Sequence, residues 1–266
     1  MAESLSFPAG PAARLDIRLP PCDMFGLWDK ARPFVTLTFA QSLDSQLSIA
    51  PGVRTILSGS ESKAMTHYLR SRHAAICVGV GTAVADNPGL NCRLASSLCP
   101  GGHQPRPIVI DPQARWEITE KSKVLSLQRE GQGLAPFIIT TVESPPAAQR
   151  KVLESHGGKY ITARRNAAGM ISWTDILQIV WQEGLRSIMV EGGAQIINTL
   201  LSPENDVPVD NVIVTIAPTW LGKGGVVVSP DPVCAQNGSP VAAARLTDIA
   251  WIPLGEDVVL CGKILR

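Results

Sequence analysis

The chain has 266 residues, and its 24 basic and 23 acidic side chains nearly cancel. This balance argues against binding to nucleic acid or to a membrane surface through bulk charge. No apolar run approaches the roughly 20 residues that cross a bilayer, and the N-terminus lacks the apolar region of a secretory signal. We therefore expect a cytoplasmic protein with neither a nucleic-acid nor a membrane partner.

The N-terminal segment and the first elements of the domain come first in chain order. Residues 1–32 are rich in Pro, Ala and Gly without a sustained period, which predicts a partly irregular N-terminal arm on the surface. Residues 33–266 are predicted to form one domain, and its first strand is the β-forming run 34–40. Ser58 and Glu61 have the spacing of a capping box ahead of a helix.

Strands and helices alternate through the centre of the chain. Continuous apolar runs, typical of strands buried on both faces, lie at 75–80, 107–111, 137–140 and 188–190. Helices are predicted at 145–156, from Thr174 onward, and at 194–201. The last third turns to strands, at 211–216, 246–252 and 257–264. This order predicts an α/β fold with a mainly parallel central sheet and an antiparallel C-terminal edge.

Six cysteines occur at irregular spacing: Cys22, Cys77, Cys92, Cys99, Cys234 and Cys261. Because no export signal accompanies them, we expect reduced thiols rather than disulfides. Cys92, Cys99 and His103 lie close in the sequence, but their spacing fits no standard zinc pattern and a fourth ligand is missing. We therefore expect no metal site.

Residues 187–201 combine several features of a ligand site. An apolar strand ends at Glu191, and Gly192 and Gly193 then expose backbone N–H groups where a helix begins. A helix start offers unpaired donors and partial positive charge, which suit a phosphate. A tight turn with an incidental acid explains the same residues equally well.

A second glycine turn, at residues 79–88, also follows a buried strand. It fails as a dinucleotide fingerprint, because Val84 takes the place of the third glycine and the expected downstream acid is absent. Thr82 and Asp86 would share one face of a helical turn, where they could hold ribose or amide groups of a cofactor. Alternatively, both residues only cap their local turns. We expect the two glycine turns to meet at one edge of the sheet, in a common cleft.

Two arginine pairs accompany these turns. Arg70 and Arg93 bracket the second turn, and guanidinium groups bind phosphate in a forked geometry, although most arginines are solvated surface charges. Arg164 and Arg165 are a weaker candidate for binding a cofactor 2′-phosphate. The sequence contains no P-loop, nucleophile elbow or zinc deaminase motif. We therefore expect a bound cofactor to carry the chemistry.

Taken together, these motifs resemble those of the riboflavin-pathway reductases, in the stand-alone fungal form. The bacterial reductase is fused behind a zinc deaminase, whose motif is absent here. The matching stretches follow in order: 36–44, 58–62, 69–70, 78–82, 86–88 with Leu90 and Arg93, 190–194, and 212–218 with Gly222.

The resemblance implies a dihydrofolate-reductase-like three-layer α/β fold, a homodimer, and NADPH as hydride donor, with NADH as an alternative. The implied reaction reduces the ribosylamino side chain of a pyrimidinone 5′-phosphate to ribitylamino. By resemblance, the positions that contact NADPH are Thr82, Asp86, Ile161, Val190, Gly192, Gly193 and Ala194. The positions that hold the phosphorylated substrate are Ser58, Arg70, Leu90, Arg93 and Glu191. Glu191 and Asp44 are the candidate catalytic residues, and water is an alternative proton donor.

The chain departs from the family pattern at two places. Where the family usually reads Ser-Leu-Asp-Gly-Lys, Asp44 is followed by Ser45 and Gln46, and a usual Asp is replaced by Ala74. Two alternatives stay open, because a fold does not fix a substrate. One is a pterin or folate-type reductase, which would not require the arginine pair. The other is an NADPH-binding module without catalysis, toward which only the two departures point.

Overall fold

The computed structural model describes residues 5–20, 30–95, 103–166, 169–204, 207–234 and 238–265. The helices are α1 (Ala9–Asp16), α2 (Ser60–Ser71), α3 (Val80–Asp86), α4 (Lys123–Arg129), α5 (Ala147–Ser155), α6 (Trp173–Gln182) and α7 (Ala194–Leu201). The strands are β1 (Phe34–Gln41), β2 (Gln46–Ser48), β3 (Ala75–Gly79), β4 (Arg106–Ile110), β5 (Phe137–Thr140), β6 (Lys159–Thr162), β7 (Ser187–Glu191), β8 (Asn211–Ile216), β9 (Val226–Val227), β10 (Val233–Cys234), β11 (Pro240–Val241), β12 (Arg245–Leu254) and β13 (Asp257–Leu265).

Nine strands form one sheet in the order β12-β13-β8-β1-β7-β3-β4-β5-β6. All neighbours from β8 to β6 pair in parallel, whereas β13 and β12 add an antiparallel hairpin beside β8. The predicted mainly parallel sheet with an antiparallel C-terminal edge is confirmed. Since parallel strands all point the same way, their carboxyl ends meet at one edge, where open α/β sheets bind ligands.

Helices cover both faces of the sheet, which gives the three layers. Successive residues of β7 point to opposite faces: Ile188 and Val190 pack with α6 and α7, whereas Met189 packs with α1 and α2. A further cluster joins the other face of β3 to α3, α4 and α5. The continuous apolar runs therefore correspond to strands buried on both sides.

Two local predictions need correction. The expected capping box is absent, because α2 has Gly59 as its N-cap and no side-chain cap bond. The Gly59 N–H instead donates to Asp257 Oδ2 at 2.9 Å, and Glu61 accepts from Ser60. Val80, predicted as the end of a strand, begins α3. Helix α4 was not predicted at all.

The N-terminal arm contains a helix that the sequence did not predict. In α1, Leu15 is fully buried, and it joins Phe7 and Leu19 in the cluster that includes Met65 and Leu69 of α2. Residues 5–20 are therefore packed against the domain rather than irregular. The helical pattern of this segment is weak in the sequence because most of α1 is exposed and its first turn contains Gly and Pro.

Polar contacts reinforce the docking of α1. Asp16 accepts a hydrogen bond from the Tyr68 hydroxyl at 2.5 Å and forms an ion pair with Arg72. Tyr68 lies in the last turn of α2, and Arg72 is its C-cap. Burial, followed by the bond to Asp16, raises the pKa of Tyr68 to about 12. The tyrosine is therefore a hydrogen-bond donor throughout the neutral range.

Four cysteines within the described ranges, Cys77, Cys92, Cys234 and Cys261, are free. Cys22 and Cys99 lie outside those ranges. The described residues hold no cluster of three side chains suited to a metal ion. None of their helices has the length and hydropathy needed to span a membrane.

Truncation of Leu15 tests whether α1 is part of the core. We expect Leu15→Ala to lower the free energy of unfolding by about 2–4 kcal/mol, because it leaves a cavity between α1 and α2. Ile17→Ala is the matched control, since Ile17 is 80% exposed and should change stability by less than about 0.5 kcal/mol. Urea denaturation measures both, and equal stabilities of the two variants would show that α1 does not pack as described.

Candidate active site

Two cavities open at the carboxyl edge of the sheet. The larger has a volume of about 1200 Å³, and its walls come from the ends of β3 and β4, the N-terminal ends of α6 and α7, and the segment after β6. The smaller, of about 580 Å³, lies between the end of β7, α3 and the loop joining β2 to α2. Five residues line both cavities: Gly81, Thr82, Gly193, Ala194 and Val226. The cavities therefore meet at the two glycine turns.

The turn between β7 and α7 brings bare backbone to this junction. Gly192 and Gly193 have φ angles of +80° and +74°, which a residue with a side chain adopts only at a cost. Gly193 is the N-cap of α7 and has no side-chain cap partner. The first N–H groups of α7 therefore remain available beside the junction, at the positive end of the helix dipole.

Thr82 lies directly against this turn. A Cβ atom built on Gly193 would be 3.7 Å from Thr82 Oγ1, and one built on Gly192 would be 4.0 Å away. The two turns meet because β3 and β7 are neighbours, with Cys77 paired to Val190. The expectation that both turns share one cleft is confirmed.

Glu191 projects into the smaller cavity and is held by Arg70. Arg70 Nη2 lies 2.7 Å from Glu191 Oε2, and its Nε donates to Oε1 at 3.1 Å. Arg70 Nη1 also donates to the Asn91 carbonyl at 3.1 Å. Arg70 lines neither cavity. Its guanidinium therefore orients the Glu191 carboxylate, and the phosphate-gripping role of Arg70 stays a prediction.

Arg93 is likewise directed away from the cavities. Its guanidinium contacts the Nε2 atom of His67 at 2.9 Å, on the inner side of α2. Burial, followed by the charges of Arg70 and Arg93, lowers the pKa of His67 to about 3. A neutral imidazole can accept this hydrogen bond. Leu90, predicted with Arg93, is 2% exposed within an apolar cluster, so its side chain is not open to a ligand.

The carboxylate of Asp44, the other predicted catalytic residue, is held by several hydrogen bonds. Its carboxylate accepts from the Ser42 hydroxyl at 2.5 Å, from the Gln46 amide at 2.9 Å, and from the N–H groups of Leu221 and Gly222 at 3.1 and 2.9 Å. These bonds, that of Ser42 first, hold the pKa of Asp44 well below its usual range. Asp44 lines neither cavity and connects two loops.

The departures from the family pattern have structural explanations. Ser45 has a φ of +60°, the left-handed conformation that favours the glycine usual at this position. Gln46, which replaces the lysine, is buried and donates to the Gly222 carbonyl. Ala74 precedes β3 at the amino end of the sheet, opposite the cavities. None of these three residues lines either cavity.

The other predicted positions divide between the two cavities. Ser58 and Asp86 line the smaller cavity. Val190 is fully buried in β7, and Ile161 pairs with Ile139 within the sheet. Neither lines a cavity.

The sequence interpretation missed most of the larger cavity. Its wall includes Gln113 and Arg115 after β4, Arg165 after β6, and Ser172 and Trp173 at the start of α6. Arg164, predicted together with Arg165, is not part of this wall. The turn after β4 follows a buried strand just as the turn after β3 does, so the same pattern could have identified it.

Comparison with known proteins identifies the family. The sequence model described as the RibD C-terminal domain matches residues 33–260. A Debaryomyces hansenii protein named 2,5-diamino-6-ribosylamino-4(3H)-pyrimidinone 5′-phosphate reductase is 43% identical over 238 residues, covering 88% of this chain and 90% of the relative. The Saccharomyces cerevisiae protein of that name is 40% identical over 233 residues, covering 87% of each.

Solved structures agree with this assignment. The riboflavin biosynthesis reductase Rib7 of Saccharomyces cerevisiae has a TM-score of 0.75 at 35% identity, covering 96% of this chain and 99% of that one. Acinetobacter baumannii RibD has a TM-score of 0.67 at 20% identity, covering 89% of this chain and 59% of that one, which is a likeness of fold. The chain therefore belongs to the family of the RibD C-terminal domain, as its resemblance to the riboflavin-pathway reductases predicted.

Proposed function

We propose that the protein is a reductase that uses NADPH to convert the ribosylamino side chain of 2,5-diamino-6-ribosylamino-4(3H)-pyrimidinone 5′-phosphate to ribitylamino. The observation that carries the proposal is the junction of the two cavities at Thr82 and Gly193. Hydride transfer needs donor and acceptor in contact, and the junction lets a ligand in each cavity touch the other. The names of the fungal relatives supply the substrate.

The larger cavity has the features that a dinucleotide requires. The starts of α6 and α7 both face it, and such helix ends favour the negative charge of a pyrophosphate. Arg115 and Arg165 lie in its wall and suit a 2′-phosphate. Thr82, Gly193 and Ala194 would hold the reactive end at the junction. When bound there, NADPH supplies the hydride that the C1′ carbon of a ring-opened imine accepts, while the imine nitrogen takes a proton.

In the smaller cavity, the chain contributes mainly orientation. A carboxylate fixed by a guanidinium accepts hydrogen bonds from sugar hydroxyl or amino groups in a defined direction. Glu191 meets this description, because two of its oxygen contacts are to Arg70 and it also lines the cavity. We assign Arg70 as the residue that positions Glu191. In this proposal, water donates the proton that the imine nitrogen takes.

One assay separates the proposed function from its alternatives. NADPH absorbance is followed with the phosphorylated pyrimidine, with a dihydropterin and with no substrate. We expect oxidation only with the phosphorylated pyrimidine. Oxidation confined to the pterin would establish a folate-type reductase, and NADPH binding without oxidation of any substrate would establish an inactive binding module.

A double-mutant cycle tests the roles of Glu191 and Arg70. We expect Glu191→Gln to lower kcat about 100-fold, because the substrate loses its alignment with the donor, and to leave NADPH binding unchanged. Arg70→Ala should lower kcat similarly, and the double variant should lose little more than either single variant. Steady-state kinetics provides the values, with melting temperatures as the control for folding. The opposite result would be a double variant whose loss equals the product of the two single losses, with Arg70→Ala changing only KM. That result would show that Arg70 binds the substrate phosphate instead.

Arg165 provides a test of the cofactor. We expect Arg165→Ala to raise the KM for NADPH about tenfold and to leave the KM for NADH nearly unchanged, because only NADPH has a 2′-phosphate. Arg164→Ala is the matched control, since the adjacent Arg164 is exposed and lines neither cavity. Equal effects of Arg165→Ala on both cofactors would place the 2′-phosphate elsewhere.

We also propose a homodimer in the cytoplasm. The free cysteines of the described ranges suit a reducing compartment. The edge strand β12 exposes two large apolar side chains, Ile249 at 52% and Trp251 at 53%. Apolar side chains grouped on an edge strand favour burial against a second copy.

A charge placed on β12 tests this interface. We expect Trp251→Glu to shift the mass measured by light scattering from dimer to monomer, because a carboxylate is costly to bury. Trp220→Glu is the control, as Trp220 is 72% exposed on a separate loop. A dimer that survives Trp251→Glu would assign the interface to another surface.

A further inference from the structure

One wall of the junction between the cavities comes from outside the two glycine turns. Among the five residues of the described ranges that line both cavities, four belong to α3 or to the turn into α7, whereas Val226 belongs to β9. Strand β9 lies outside the nine-stranded sheet and pairs with β2, an antiparallel pair that we call the β2–β9 ribbon. This ribbon therefore brings a third segment of the chain to the place where the two ligands would meet.

The side chain of Val226 faces the junction. Successive side chains of an extended segment point to opposite sides. Val227 is 44% exposed, whereas Val228 packs against the apolar cluster on the α6–α7 side of the sheet. Val226 therefore points inward with Val228, and it is half-buried where both cavities meet. Its branched apolar side chain can pack against a ligand in each cavity and offers no hydrogen bond to water.

Hydrogen bonds fasten β9 at both of its ends. Before the strand, the Gly222 N–H donates to Asp44 at 2.9 Å, and the Gly222 carbonyl accepts from the Gln46 amide. After the strand, the Val228 N–H donates to the Ser45 carbonyl at 2.9 Å. The three partners are consecutive residues at the start of β2, so one short segment holds both ends. The valine at the junction is therefore held in place by the fold.

Gly225 brings the two strands of the ribbon closer than any side chain allows. A Cβ atom built on Gly225 would overlap the Ser48 carbonyl oxygen and the side chain of Gln46. Backbones approach this closely at a glycine because it has no side chain. Even an alanine at this position would therefore push β9 away from β2. Because Val226 is the next residue, such a displacement moves it relative to the junction.

We propose that Val226 packs against both ligands, keeps the sugar carbon beside the hydride donor and shields the imine from water. The inference rests on the proposed function, since both ligands are those of that reaction. Contact between donor and acceptor has to be precise, because a displacement of about 1 Å lowers a rate by up to about 100-fold. Water at the imine would add to the C1′–N double bond. Cleavage of the C–N bond would then release the aminopyrimidine and ribose 5-phosphate without use of NADPH.

The test compares three single variants with the wild type. Val226→Ala removes the branched side chain, Gly225→Ala separates the strands of the ribbon, and Val227→Ala is the matched control on the outward face of β9. The reduced product and released ribose 5-phosphate are measured by chromatography, with the loss in the absence of enzyme subtracted. We expect the first two variants to lower kcat about tenfold and to raise the ratio of ribose 5-phosphate to product about tenfold. Val227→Ala should change neither by more than about twofold.

A second measurement does not depend on turnover. Acrylamide quenches the fluorescence of bound NADPH where the nicotinamide is open to solvent. With the ribitylamino compound also present, we expect stronger quenching in Val226→Ala than in the wild type and in Val227→Ala. Melting temperatures show whether each variant is folded, and Val226→Ile, which keeps a branched apolar side chain, should retain most of kcat.

The inference and the proposed function fail in different ways. If the wild type is active and Val226→Ala matches Val227→Ala in kcat, hydrolysis and quenching, the inference is overturned and the function stands. A lower kcat without added hydrolysis or quenching also overturns it, because a merely structural role predicts that result. A wild type that binds NADPH without turnover contradicts the proposed function, and quenching then tests Val226. A wild type that does not bind NADPH overturns both.

Discussion

The parallel pairing of β3 with β7 is the constraint on which the site depends. These strands are over a hundred residues apart in the chain, yet Cys77 is paired with Val190 in a fixed register. Extending that register by two residues sets Gly79 level with Gly192. The helix that begins after β3 therefore brings Thr82 against the glycines that follow β7. Both strands are buried on both faces. A slip of one residue would turn every side chain of a strand to the opposite face of the sheet and disrupt the packing of both helix layers, so the register is well defined.

The Arg70–Glu191 pair fixes a carboxylate at the wall of the smaller cavity. Their side chains are 14% and 20% exposed, so the pair is partly withdrawn from water and its geometry is well defined. Such a pair adds little to net stability, but removal of one partner is costly. The carboxylate faces the cavity while the guanidinium stays behind it. The pair therefore orients the Glu191 carboxylate more than it stabilises the fold. It also connects α2 to the end of β7.

Sequence reasoning predicted the sheet well because its signals are local. The runs that became β3, β5 and β7 are continuous and apolar, and the pattern of a strand followed by two glycines located the turn at Gly192. The same reasoning does not reach contacts between distant parts of the chain. The bond from Arg70 to Glu191 joins residues more than a hundred positions apart. The N–H groups of Leu221 and Gly222 donate to Asp44 from a loop that comes far later in the chain.

Helix α1 escaped prediction for a related reason. A short helix with a single fully buried residue, Leu15, has no periodic pattern to detect.

The shared junction also separates two kinds of evolutionary change. Outside it, the larger cavity is built by the segments after β4 and β6 and by α6, whereas the smaller is built by the β2–α2 loop and part of α3. Mutations that alter the preference for one ligand therefore fall on different segments from those that alter the preference for the other. Under the proposed assignment of the cavities, a lineage can exchange its electron donor, or broaden its choice of acceptor, without changing the other cavity.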